Sequence, residues 1–193
     1  DTAAPTIIRL GTENDIVVVG VVPLINDPGN ISPTGEFPLG VPIADVDNLS
    51  NGNSHVTVIY GGTQNDQFEV NYNTAKLYLS GEAGDDTFIV NTFLVLTDAD
   101  TQDIANLTTL FGGAGSNRYS YLQSAPVFIS GGAGTDTVVI NGTPIGDTFI
   151  VTDKYVVGAG RIVYFTGIER LEVNSAGGND EIYILSSSPE LEI

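Results

Sequence analysis

Six short stretches of this chain place an acid, or its amide, directly before an apolar strand: Leu10–Asp15, Gly61–Asp66, Gly81–Asp86, Gly112–Asn117, Gly131–Asp136 and Ser175–Asp180. Five of the six are rich in glycine, which permits positive φ and lets backbone carbonyls converge on one point. Carboxylates and carbonyls are hard oxygen donors, a set that suits Ca²⁺. With no Cys and one His in the chain, a transition metal has few ligands to choose. If such turns stack at strand spacing, their carboxylates sit about 5 Å apart and repel by roughly 3 kcal/mol at an effective dielectric near 20. A column of them therefore calls for cations between its rungs. The bland alternative is ordinary β-turns, in which Gly and Asp are the commonest residues anyway.

Strands must present those turns. Aligned on the closing acid, one apolar column precedes the turn (Ile8, Ile59, Leu79, Leu110, Ile129, Val173). Two more follow it: Val17, Phe68, Phe88, Tyr119, Val138, Ile182, and then Val19, Val70, Val90, Tyr121, Ile140, Ile184. Apolar columns of period two on both sides of a fixed turn mean short strands entering and leaving a corner. Asp66 to Asp86 is 20 residues and Asn117 to Asp136 is 19, the spacing of a stacked coil with two strands and two turns. Asp86 to Asn117 is 31, a coil with an inserted loop around 97–106. That loop carries Asp98, Asp100 and Asp103, but as an EF-hand it has Asp103 where Gly belongs and Thr109 where Glu belongs.

The organisation expected is one module over 1–193. Residues 21–55 hold five of the nine prolines and read as an excursion; 56–140 carry the best repeats; 141–193 hold degenerate coils and a hairpin. In the last part, Thr143–Asp147 reads as a half-turn on the opposite edge, which adds Asp147 to the candidate ligands. Phe149–Val157 and Arg161–Phe165 read as two arms of a hairpin. The only weak helix candidate is 103–110.

Composition excludes several functions. A net charge of −18, from 24 acids and 6 bases, argues against nucleic acid or any other polyanion. The absence of Cys removes disulfides, zinc–thiolate sites and cysteine nucleophiles. The apolar run Ile16–Ile25 contains Gly20 and Pro23 and is too short to insert into a bilayer. With no Met in it, the chain reads as a mature or excised piece of something larger. His55 has no Ser or Asp partner motif, and no hydrolase, zinc-protease or phosphate-loop motif is present, so an enzyme is not expected. Tyr60, Tyr72, Tyr78, Phe111 and Phe128 read as outer-face strand residues that could also stack on sugars.

The nonapeptide G-G-x-G-x-D-x-U-x, with U a large apolar residue, marks the calcium-binding β-roll of RTX proteins. Gly131–Val139 matches every specified position; Gly81–Ile89 departs at Glu82 alone, and Gly112–Ser120 at Asn117. The copy at Gly61 has Gln64 for its last glycine, and the copy at Ser175 lacks the first two. The chain thus resembles the RTX, or haemolysin-type, family over about residues 60–140, in a form similar to the repeats of large bacterial surface proteins. The resemblance implies an all-β, right-handed parallel β-roll or β-helix. It implies Ca²⁺ held by the side chains of Asp66, Asp86, Asn117 and Asp136 and by turn carbonyls such as those of Gly81, Ala83, Gly131 and Ala133, with Asp180, Asp15 and Asp147 as further ligands. The function implied is a Ca²⁺-stabilised structural module of a secreted or cell-surface protein: a spacer, adhesin or matrix segment that folds outside the cell. Its partners would be calcium, neighbouring domains, further copies or surface polysaccharide. The alternative is a carbohydrate-binding or carbohydrate-modifying β-helix.

Overall fold

Alternation over short runs builds strands, and the corner after each strand decides which sheet the next one joins. The computed structural model describes residues 4–20, 55–71, 73, 75–91, 107–122, 127–158 and 161–193, and no helix lies among them. The strands begin with β1 (Thr6–Gly11), β2 (Ile16–Val19), β3 (Thr57–Thr63), β4 (Gln67–Val70) and β5 (Leu77–Ala83). They continue with β6 (Thr87–Val90), β7 (Thr108–Ala114), β8 (Arg118–Leu122), β9 (Val127–Ala133) and β10 (Thr137–Asn141). The last are β11 (Thr148–Val151), β12 (Tyr155–Gly158), β13 (Arg161–Thr166), β14 (Arg170–Asn174) and β15 (Glu181–Ile184). The proline-rich stretch 21–54, the inserted acidic loop with its helix candidate up to residue 106, and Tyr72 lie outside the described residues.

Up to β10 the strands alternate between two sheets. One sheet has nine strands in the order β1-β3-β5-β7-β9-β13-β12-β11-β15, and the other has six in the order β14-β10-β8-β6-β4-β2. Neighbours are parallel except where β12 meets β13 and β11. The predicted columns are the observed register through β10. Ile8, Ile59, Leu79, Leu110 and Ile129 lie side by side, as do Phe68, Phe88, Tyr119 and Val138. All of these except Ile8, which is exposed on the first strand, meet between the sheets and form the core. Phe68 stacks on Phe88 and Phe88 on Tyr119, each pair with centroids 4.9 Å apart.

Beyond Asp136 the sequence columns go out of phase. Leu171, not Ile182, sits beside Val138, and Val173 pairs with Ile140 in the six-stranded sheet instead of joining Ile129. The cause is a three-strand meander. The stretch 149–157 is not one arm of a hairpin: it breaks at Thr152, whose hydroxyl accepts the N–H groups of Lys154 and Tyr155 and closes a tight turn. Strands β11, β12 and β13 therefore lie side by side, and β13 takes the place next to β9. The nine-stranded sheet thus outruns its partner. On its last strand, Ile182 and Ile184 are 48% and 58% exposed although they flank the fully buried Phe149 and Val151.

Candidate metal centre

The turns after β1, β3, β5, β7 and β9 stack along one edge of the molecule, so the closing acids form a column. The backbone of the last four is held by two left-handed residues per turn, and that of the first by Gly11 alone, at φ 131°. Gly62, Glu82, Gly113 and Gly132 have φ of 112°, 73°, 100° and 119°, and Gln64, Gly84, Gly115 and Gly134 take φ of 76°, 143°, 126° and 135°. A Cβ at Gly62 or Gly132 would run into the carbonyl oxygen of the turn beneath, so backbone rests directly on backbone. The first glycine of each copy answers to a different constraint. Gly61, Gly81, Gly112 and Gly131 have no positive φ; a Cβ there would collide with the side chain of Asp66, Asp86, Asn117 or Asp136 respectively. Those glycines leave room for the acid five residues on.

The acids point inward. Asp66, Asp86, Asn117 and Asp136 are each 2% exposed or less. The N–H of Asp15 donates to Oδ1 of Asp66 at 2.8 Å, that of Asp66 to Asp86 at 2.8 Å, that of Asp86 to Asn117 at 2.9 Å and that of Asn117 to Asp136 at 2.9 Å. Each side chain is thereby bolted to the turn below. The other terminal atom, Oδ2 of the three aspartates and Nδ2 of Asn117, is buried and has no hydrogen-bond partner. It faces a second acceptor. The space beside Gly61 is bordered by Asp66 Oδ2 and, 2.9 Å from where a Cβ would stand, by the carbonyl oxygen of Gly81; beside Gly81 the pair is Asp86 Oδ2 and Gly112 O. A buried carboxylate oxygen set beside a carbonyl oxygen, with no donor of its own, calls for a proton or a cation there.

The Asn117 rung carries an amide in the same position. Its oxygen is spent on Asp86 N–H, and its amide nitrogen, also without a partner, borders the space beside Gly112 together with the Tyr119 hydroxyl and the Gly131 carbonyl, a donor where the aspartates offer an acceptor. Burial pushes the Asp86 carboxyl up to about 6, against the N–H it accepts, and the negative charges of Asp66 and Asp85 add to the rise. Burial raises Asp66 and Asp136 too, with Asp15 and Glu169 respectively as the charged neighbours that reinforce it.

The remaining predicted ligands divide. Asp15 is the first member of the column and gives its N–H to Asp66. Asp147 and Asp180 lie on the opposite edge, at the corners before β11 and β15, where Asp147 N–H donates to Asp180 Oδ1 at 2.9 Å. Asp147 Oδ2 is already met by the N–H and hydroxyl of Thr143. Gly81 and Gly131 supply the inward carbonyls just described, whereas the Ala133 carbonyl is used by Gly115 N–H. The structure places Ala83 at the end of β5, beside Ala114.

Two features escaped the sequence reading. Glu169 extends the column by accepting Asp136 N–H with Oε2 at 2.8 Å; the signal was Gly167-Ile168-Glu169 ahead of a clean alternation. A second, exposed ladder runs beside the first, with Asn65 N–H to Asn14, Asp85 N–H to Asn65 and Ser116 N–H to Asp85. The residue before each closing acid carries it, a polar position read only as turn. On the opposite edge Asn91 donates to Asn71 and Asn174 to Asn141, a counterpart built on amides, and Asn71 and Asn91 both also donate to Glu69.

Among the described residues no three Asp, Glu or His side chains gather in one place, so an ion in this column would lean on backbone carbonyls as well as carboxylates. Compared with protein-family models, with curated proteins and with solved structures, the chain matches none.

Proposed function

We propose that this chain is a calcium-stabilised β-solenoid of the RTX kind, right-handed, serving as a structural module of a large secreted or cell-surface protein. The observation that carries the reading is the column of buried, partnerless carboxylate oxygens, each facing a glycine carbonyl on the next turn. The donor set fits a hard cation: Asp66, Asp86 and Asp136 would hold it with the carbonyls of Gly81, Gly112 and Gly167. Bound there, Ca²⁺ supplies charge neutralisation. The chain's own residues do the rest. The Oδ1 ladder fixes each carboxylate, the left-handed pairs turn the carbonyls, and the aromatic stack under the turns keeps water out.

The function follows by linkage. Where calcium is scarce, buried like charges oppose the stack and favour an open chain, a form suited to export. In a millimolar pool, a site with Kd near 10 µM would stabilise the fold by roughly 2.7 kcal/mol. The test is thermal unfolding followed by circular dichroism in EDTA and across a calcium titration. A large rise in Tm and β signal, reversed by chelation, is expected; equal stability in both conditions would sink the reading.

A further inference from the structure

We propose that the outer face of the nine-stranded sheet is a binding platform for an uncharged polysaccharide. Six neighbouring strands, β3, β5, β7, β9, β13 and β12, each turn one ring outward: Tyr60, Tyr78, Phe111, Phe128, Tyr164 and Tyr155. The register sets them in two adjacent rows. Tyr78, Phe128, Tyr164 and Tyr155 share one row, and Tyr60 and Phe111 the other, with Ser80 and Ser130 between and beyond them. Five strand gaps give a track of about 24 Å, long enough for several sugar rings. Phe111, near its middle, is 38% exposed.

The opposite sheet serves as an internal control. Its aromatics, Phe68, Phe88, Tyr119 and Tyr121, are all buried, while its outer face carries Arg118, Arg170 and Glu172 in ion pairs. Among the described residues of the two sheets, outward rings therefore belong to one face. That face also departs from the acidity of the chain: the only acids on its nine strands are Glu82 and Glu181, both near strand ends, and Arg9 and Lys76 lie 4.3 and 4.4 Å over the rings of Tyr60 and Tyr78.

Charge selects the ligand. A net charge of −18 repels polyanions, and a polycation would gather at the acidic corners, away from a face that holds two cations. A neutral glycan offers C–H faces to the rings and hydroxyls to the serines and threonines between them. The proposal goes beyond the calcium reading and does not rest on it.

The test is retention of the calcium-saturated protein on microcrystalline cellulose, chitin and xylan, with alginate as the acidic comparison. The chain has no Trp, so tyrosine emission reports the same event in solution when soluble fragments of a retaining glycan are added. Retention on at least one neutral glycan is expected, and the double variant Phe111→Ala/Phe128→Ala should weaken it roughly ten-fold or more. If that variant loses the native circular dichroism spectrum, the exposed Phe111→Ala alone is read the same way. No retention on any neutral polymer, preference for alginate, or retention indifferent to the variants would overturn the proposal. A stability that ignores calcium would count against the corner site and leave this one standing.

Discussion

At the scale of single residues, the contrast between Asn117 and its aspartate neighbours is the natural experiment. Asp86→Asn keeps an oxygen for Asp66 N–H and turns a donor toward the Gly112 carbonyl. It is expected to stabilise the calcium-free fold by about 1–2 kcal/mol in urea unfolding while shrinking the gain from calcium. A destabilised calcium-free variant would mean that the buried carboxylate is already satisfied. Glu82, a non-glycine at φ 73°, marks a strained corner, and Glu82→Gly should add about 1 kcal/mol, read as a Tm rise of roughly 2–4 °C. The pH dependence follows from Asp86, whose carboxyl moves from 3.8 up to about 6 in the fold. A raised folded value means that the folded chain holds the proton more tightly. That contribution is complete below about pH 4 and is lost as pH climbs through about 6. Calcium-free protein is therefore expected to melt at a higher temperature near pH 4.5 than near pH 7.5, and saturating calcium should reverse the order.

At the scale of elements, strands and corners depend on each other through the first glycine of each copy. Gly81→Ala would press a methyl against Asp86 and the Gly112 carbonyl, at an expected loss of about 2–3 kcal/mol. Phe88→Ala removes the middle ring of the three-ring stack and should lose about 3–5 kcal/mol by chemical denaturation, with or without calcium. How much of this was legible before the coordinates varied along the chain. From β3 to β10 the strands, their register and the column of closing acids could be read directly, because a period of two and a fixed corner leave little freedom. The inward aim of the acids could not. A motif gives residue type and spacing, whereas the Oδ1 ladder depends on which side of the corner the next turn packs. The phase slip after β10 was hidden for a related reason: Thr152 is an ordinary strand residue by composition, and only its hydroxyl, catching two N–H groups, makes it a turn. Ser175–Asp180, a looser copy, keeps a glycine pair and the closing Asp of the others, and those alone do not say on which edge the corner lies.

At the scale of the whole molecule, charge is distributed unevenly. Two edges join the sheets: one carries the column of buried acids with partnerless oxygens, and the other carries Asn71 paired with Asn91 and Asn141 paired with Asn174, with acids that are met by donors, Glu69 by the amides of Asn71 and Asn91, Asp147 by Thr143 and Asp180 by the Asp147 N–H. If the column holds calcium as proposed, swelling on its loss would be one-sided. The acid edge would lengthen as its rungs part, the amide edge would hold, and the stack of strands would bow into an arc with the asparagines on its inner rim. Small-angle X-ray scattering before and after chelation, under conditions where the sheets persist, is expected to register a more strongly curved particle after chelation. A chain of such modules would then shorten end to end as calcium falls, acting as a spring whose rest length is set by ion concentration.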